Sequence, residues 1–337
     1  MEGPIKVLEL FSGIGGMRYA LEKALEGRRG KAVFEALEIN PSAVEVYSHN
    51  FQPIRSKNVH GLSKMDLRSY DILLMSPPCQ PFTRQGHQRG LQDKRSEPFI
   101  QVMNIIPKLT SLKGVLLENV AGFETSEAHS LLLSTFSNWK IREFLICPTS
   151  FGIPNSRLRY YFLAVKSDQD FTFGSHNEIM TTLPEQITAI CSLGDFLKEI
   201  TPSSTEDYLL SDNILKKYGE VLDIVTSTSV RTCCFTKSYA RYVEGTGSVL
   251  TPMTKEDVKR IYMDANSNSD EYLDNLKKLQ LRYFSPEEIG ALMGFPSEHF
   301  EFPNSISIAS RYKLLGNSLN VQVVAHLLGY ILNLLKV

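Results

Sequence analysis

Ile5 to Leu10 reads as a buried strand and ends abruptly in Phe11-Ser12-Gly13-Ile14-Gly15-Gly16-Met17, after which a helical stretch runs through Leu25. Glycines at 13, 15 and 16 let the backbone turn sharply and approach a ligand closely. A strand, a glycine turn and a helix make the opening unit of an open α/β sheet, whose ligands bind beyond the carboxyl ends of its strands. The same rhythm continues. Val33 to Ile39 is a second strand, and Asn40-Pro41 supplies the N-cap and first position of a helix reaching His49. Asp71 to Met75 is a third strand, stopped by Pro77-Pro78, and a helix with Phe99, Met103 and Ile106 on one face follows. Gly114 to Leu117 is a fourth, Ser126 caps a helix to about Phe136, and Phe144 to Cys147 and Tyr160 to Val165 are two more strands. The fold class expected is α/β, a mostly parallel sheet with helices on both faces.

The pattern changes after Lys166. The stretch from Asp168 to Glu206 is rich in Ser, Thr, Asp and Pro and reads as a connector into a smaller domain. Within that domain Ser285-Pro286-Glu287-Glu288 has the form of a capping box, and Gly294 stops the helix. Leu319, Val323, Leu327 and Ile331 then form an apolar stripe able to pack back on the first sheet. The expected division is 1–185, a catalytic domain; 186–305, a smaller recognition domain; and 306–337, a helical segment returning to the first.

Charge and cysteine content narrow the classes. The chain has 337 residues, with 36 Lys+Arg against 37 Asp+Glu. That balance excludes a uniformly basic nucleic-acid coat, so any such site needs local clustering. The acidic start, Met1-Glu2-Gly3-Pro4, argues against a signal peptide. The most apolar stretch, Val321 to Val337, is interrupted by Gln322, His326, Asn333 and Lys336 and falls short of the roughly 20 apolar residues of a membrane span. Cys79, Cys147, Cys191, Cys233 and Cys234 form no C-x-x-C pair, so neither a disulfide framework nor a metal site is expected. A reducing compartment is the default.

The glycine turn departs from a dinucleotide fingerprint, which needs G-x-G-x-x-G, because Arg18 holds the third position. No phosphate-binding G-x-x-x-x-G-K motif is present either. A nucleoside with an uncharged end, such as S-adenosylmethionine, is the better candidate. Glu38, ending the second strand, can accept hydrogen bonds from both ribose hydroxyls. On this segment alone, a turn used only for tight strand-to-helix packing stands beside that reading.

Three further elements end at the same sheet edge. Ser76-Pro77-Pro78-Cys79-Gln80-Pro81-Phe82 places one thiol in a proline-stiffened loop, where a nearby positive charge would favour the nucleophilic thiolate. Glu118-Asn119-Val120 puts a carboxylate beyond the fourth strand. Arg157-Leu158-Arg159 leads into a strand, whose alternation sets both guanidiniums on one face.

Taken in order, these pieces resemble the cytosine-5 methyltransferase family. Its motif order is matched by Phe11-Ser12-Gly13-Ile14-Gly15-Gly16, Glu38, Pro77-Pro78-Cys79-Gln80, Glu118-Asn119-Val120, Arg157-Leu158-Arg159 and Gly316-Asn317-Ser318. Cys234-Phe235-Thr236 with Tyr239, and Glu244-Gly245-Thr246-Gly247-Ser248, are similar to the second-type DNA methyltransferase homologues, whose main substrate class is transfer RNA. The resemblance implies a Rossmann-like S-adenosylmethionine-dependent fold and a cofactor site at Phe11 to Gly16, Glu38, Ile39, Ser76, Asn317 and Ser318. It also implies methylation of cytosine C5, with aspartate tRNA as partner, S-adenosylhomocysteine as product and residence in cytoplasm and nucleus. A monomer is expected. The adenine stretch, Asn58-Val59-His60, lacks the acidic residue common in the family.

The catalytic residues implied are Cys79 as nucleophile at C6, Glu118 at the N3 edge of the base, and Arg157 and Arg159 orienting the base carbonyl or Glu118. Two basic clusters are candidate nucleic-acid contacts: Arg84, Arg89, Lys94 and Arg95, and Arg231, Lys237 and Arg241 with Tyr239 for stacking. Two readings compete: a DNA methyltransferase of the same chemistry, and a catalytically silent nucleic-acid-binding protein.

Overall fold

The computed structural model describes residues 3–56, 70–78, 97–176, 178–185, 190–197, 205–264 and 271–337. It divides into two compact units. The first comprises 1–147, 158–186 and 319–337, and the second 148–157 and 187–318.

The first unit is built on β1 (Ile5–Leu10), β2 (Ala32–Glu38), β3 (Arg55–Ser56), β4 (Ile72–Met75), β5 (Gly114–Val120), β6 (Lys140–Ile146), β7 (Arg159–Val165) and β8 (Ile179–Met180). They form one sheet in the order β3-β2-β1-β4-β5-β7-β6-β8. All neighbours are parallel except β7, which runs antiparallel to both β5 and β6. The chain proceeds from β1 outward through β2 to β3, then returns to β4 and β5 on the other side. The order therefore reverses beside β1, at the point where open α/β sheets form their ligand crevice.

The central strands β4, β5 and β7 are buried on both faces. On one face Leu8, Leu10, Leu73, Met75, Val115 and Leu117 meet Phe99, Val102 and Met103 of α3 (Glu97–Ile105) and Ala128 and Leu132 of α4 (Glu127–Thr135). On the other, α10 (Val321–Leu335) packs on β5, β7 and α1 (Gly16–Ala24). The stripe Leu319, Val323, Leu327 and Ile331 is buried, and a Cβ on Gly114 would lie 2.9 Å from Ile331. Ile308–Leu335 is apolar and long enough, by composition, to span a bilayer, which differs from the expectation. It consists, however, of two helices, α9 (Ile308–Gly316) and α10, parted at 317–320, and α10 spends its apolar side chains on the sheet.

The sequence signals for helix starts operate as expected. The Asn40 side chain accepts from Ser42 N at 3.1 Å, opening α2 (Pro41–Asn50), and Ser126 accepts from His129 N at 3.3 Å. In the second unit Ser285 and Glu288 complete a capping box on α8 (Pro286–Leu292). That unit also holds α5 (Asp212–Tyr218), α6 (Lys255–Asp264), α7 (Tyr272–Lys277) and a two-stranded parallel ladder of β9 (Ile224–Val225) and β10 (Val249–Leu250). Its core gathers Leu210, Leu215, Val249, Leu276, Leu279 and Leu281. Two boundaries differ from expectation: 148–157 joins the second unit, and α9 belongs to it rather than to the first.

Candidate active site

The glycine turn stands at the carboxyl end of β1 with Phe11, Gly13 and Gly15 at φ of 56°, 53° and 88°. Ser12 is buried, its N–H and Oγ both directed to the Leu37 carbonyl at 3.1 Å, which ties the turn to β2. A Cβ at Gly15 would lie 2.5 Å from the Phe51 ring and 3.3 Å from Tyr47, whereas nothing lies within 4 Å of a Cβ at Gly13. The turn thus rests on two aromatic rings below and is open at Gly13. Ser76 at the end of β4 donates to the Phe11 carbonyl at 3.3 Å, drawing the next strand end to the same place.

Glu38 is held by three backbone N–H groups. Gly13 N donates to Oε2, and Ile39 N and Asn40 N donate to Oε1, each at 2.8 Å. Oε1 is thereby filled and Oε2 keeps one lone pair, so the carboxylate suits one further donor rather than the two hydroxyls expected from sequence. Ile39 beside it is 59% exposed and offers an apolar face. An open glycine, a prearranged carboxylate and an exposed apolar side chain fit a nucleoside.

A second carboxylate, Glu118, lies near the carboxyl end of β5. Glu118 and Arg159 face each other, Nε to Oε1, at 3.4 Å, with side-chain exposures of 11% and 16%. Antiparallel pairing of β5 with β7 produces this, because Val120 registers with Arg159 and Glu118 with Tyr161. The Asn119 amide donates to the Pro77 carbonyl at 3.3 Å, and its oxygen accepts from Val120 N at 2.9 Å. The chain is therefore anchored two residues before Cys79 by the same segment that carries Glu118. Cys79 itself, Asn58, Val59, His60, Arg84, Arg89, Lys94 and Arg95 lie outside the described residues.

Arg157 requires a correction. β7 begins at Arg159, so the strand alternation that would set both guanidiniums on one face does not extend to Arg157. Arg157 is buried in the second unit, donating to the carbonyls of Phe235 at 3.2 Å and Gly316 at 3.1 Å and to that of Ser318, with Cys234 Sγ at 3.6 Å. It braces the segments at 234–235 and 316–318 of that unit, and Arg159 meets Glu118. Asn317 and Ser318 follow α9 in the same unit, Asn317 exposed.

Tyr239 requires another. Its ring is buried among Phe235, Tyr283 and Tyr312, and its hydroxyl donates to the Ser248 carbonyl at 2.7 Å. It is a core residue and offers no face to a base. Arg231, Lys237 and Arg241 are exposed. Among the described residues no group of three or more His, Cys, Asp or Glu side chains is placed to hold a metal.

The profile of the C-5 cytosine-specific DNA methylase family matches residues 5–333. The chain belongs to that family. A tRNA (cytosine(38)-C(5))-methyltransferase from Spodoptera frugiperda is 40% identical over 96% of this chain and 98% of that protein. A DNA (cytosine-5)-methyltransferase from Dictyostelium discoideum is 34% identical over 96% of this chain and 93% of its own length. A crystal structure of a Spodoptera frugiperda DNMT2 mutant matches with a TM-score of 0.87 at 38% identity, covering 97% of this chain and 99% of that one. Membership makes the chain a cytosine-5 methyltransferase and accounts for the order of its motifs along nearly the whole length.

Proposed function

We propose that this methyltransferase acts on a cytosine of transfer RNA, in the anticodon loop of aspartate tRNA, through a covalent bond between Cys79 and C6 of the base. The observation that carries the chemistry is the Glu118–Arg159 pair at 3.4 Å, on the segment whose Asn119 holds the chain two residues before Cys79. The tRNA substrate is supported by the named activity of the Spodoptera relative.

S-Adenosylmethionine, when bound, supplies an electrophilic methyl group; Glu38, Ile39, Ser76 and the glycine turn would hold it, with Asn58, Val59 and His60 assigned to its adenine. Cytosine C5 is a poor nucleophile until a thiolate adds to C6. Cys79 forms the S–C6 bond, and the C5=C6 electron pair becomes available at C5. Glu118 hydrogen-bonds the N3 edge and stabilises the charge that develops there, while Arg159 keeps the carboxyl oriented and lends positive potential. After C5 is methylated, a base removes the C5 proton and the S–C6 bond breaks, restoring the aromatic ring and the thiolate. A loop cytosine is reached more cheaply than one in a duplex, because less stacking is lost. Arg231, Lys237 and Arg241 are the exposed cations suited to phosphate contact.

The test is transfer of a radiolabelled methyl group to purified tRNA and to duplex DNA side by side. Label should enter tRNA, and Cys79→Ala should abolish it. Label in DNA but not in tRNA would favour the activity named for the Dictyostelium relative and overturn the substrate assignment.

A further inference from the structure

Glu9 is a carboxylate one residue before the end of β1, fully buried and registered between Ala36 of β2 and Leu74 of β4. It is four residues before Gly13 and takes no part in the chemistry above. Its Oε2 accepts from the Tyr47 hydroxyl at 2.9 Å, and Oε1 has no hydrogen-bond partner among the described residues. A fully buried carboxylate oxygen without a donor is costly when charged. The Tyr47 ring is one of the two on which Gly15 rests.

We propose that Glu9 is a positioning residue of the cofactor site: through the Tyr47 hydroxyl it fixes the ring that supports the glycine turn, and so the Gly13 N–H and Glu38. This rests on the S-adenosylmethionine reading of that site.

The groups facing Glu9 decide its charge. From α1 come the Arg18 guanidinium and main-chain N–H and the Glu22 carboxylate, from α2 the Tyr47 hydroxyl, and Ala36 and Leu74 flank it in register on β2 and β4. Arg18 is diverted. It pairs with Glu22 at 3.0 Å, stacks over Phe51 at 4.1 Å and Phe34 at 4.8 Å, and is shared with the Tyr47 hydroxyl. Burial outweighs the hydrogen bond from Tyr47, the attraction of the Arg18 guanidinium and the pull of the Arg18 main-chain N–H, and pushes the Glu9 carboxyl up to about 8. Burial also holds the Tyr47 hydroxyl far above its ordinary value, so Tyr47 stays protonated. Below about pH 8 the carboxyl is neutral and tolerates the dry site. Above it the charged form must find solvent or a cation, and either movement releases Tyr47 and tilts the turn.

The probe is S-adenosylhomocysteine, titrated calorimetrically into wild type, Glu9→Gln and Tyr47→Phe from pH 6 to 9. The amide in Glu9→Gln copies the neutral acid. Its affinity should equal wild type at pH 7, whereas Tyr47→Phe should bind several-fold more weakly. At pH 9, one unit above the transition, about a tenth of wild type keeps the competent form, so its affinity should fall about tenfold relative to Glu9→Gln. The amino group of the probe titrates alike in both proteins and cancels in that ratio. Equal pH profiles for wild type and Glu9→Gln, or a weakened Glu9→Gln at pH 7, would overturn the role of Glu9. Wild type that fails to bind the probe at any pH would instead overturn the cofactor reading, and this inference with it.

Discussion

The guanidinium of Arg157 is surrounded by main-chain carbonyls, and that of Arg159 faces a carboxylate. Lysine can supply the charge at either place but not the planar fork. Arg157→Lys should leave carbonyls unpaired in a buried setting, at about 1–3 kcal/mol for each bond lost, and lower the urea midpoint. Arg159→Lys should fold normally, with stability within about 1 kcal/mol of wild type, and lose about 100-fold in methyl transfer because Glu118 is no longer oriented. The reverse pattern, a stable and inactive Arg157→Lys beside an unstable Arg159→Lys, would exchange the two roles. Spacing alone could not separate these arginines. Their partners at 235, 316 and 318 are distant in sequence, and the strand start at Arg159 removes the periodicity that would have paired them. Glu9 is legible in a different way: an acid within a buried parallel strand is itself a signal, though the apolar composition around it obscures it.

At the scale of elements, two glycines of one turn have opposite surroundings. Gly13→Ala adds a methyl to open space at φ 53°, a left-handed cost of about 1–2 kcal/mol. Gly15→Ala adds one at φ 88° against Phe51 at 2.5 Å and so carries overpacking of about 1–3 kcal/mol as well. Gly13→Ala should therefore keep a near-native melting temperature yet bind S-adenosylhomocysteine at least tenfold more weakly, since its methyl fills the space assigned to the cofactor. Gly15→Ala should lose stability first. Undiminished affinity in Gly13→Ala would move the cofactor away from that turn. Element starts were the most legible part of the fold: Asn40, Ser126 and the Ser285–Glu288 box each cap the helix expected of them, because capping is local chemistry. The antiparallel setting of β7 was not legible. Both orientations of a buried strand have the same composition, and only the pairing of Glu118 with Tyr161 distinguishes them.

For the whole molecule, near-neutral net charge and a single proline-flanked thiol act together. With 36 cations against 37 anions, attraction for a nucleic acid has to come from exposed groups such as Arg231, Lys237 and Arg241. Tyr239, expected among them, went to the core because its ring completes an aromatic cluster with Phe235, Tyr283 and Tyr312. The first unit runs on past Lys166 to 186, and the placement of 148–157 and α9 in the second depends on long-range packing. The central claim, that Cys79 bonds to C6 of a tRNA cytosine during methyl transfer, is tested most directly with tRNA in which cytosine carries fluorine at C5. Methylation then leaves no proton to remove, and the S–C6 bond cannot break. The account predicts a denaturant-resistant protein–tRNA adduct that forms with S-adenosylmethionine and is missing in Cys79→Ala. Methylation of ordinary tRNA with no adduct on the fluorinated one, or an adduct retained in Cys79→Ala, would contradict it.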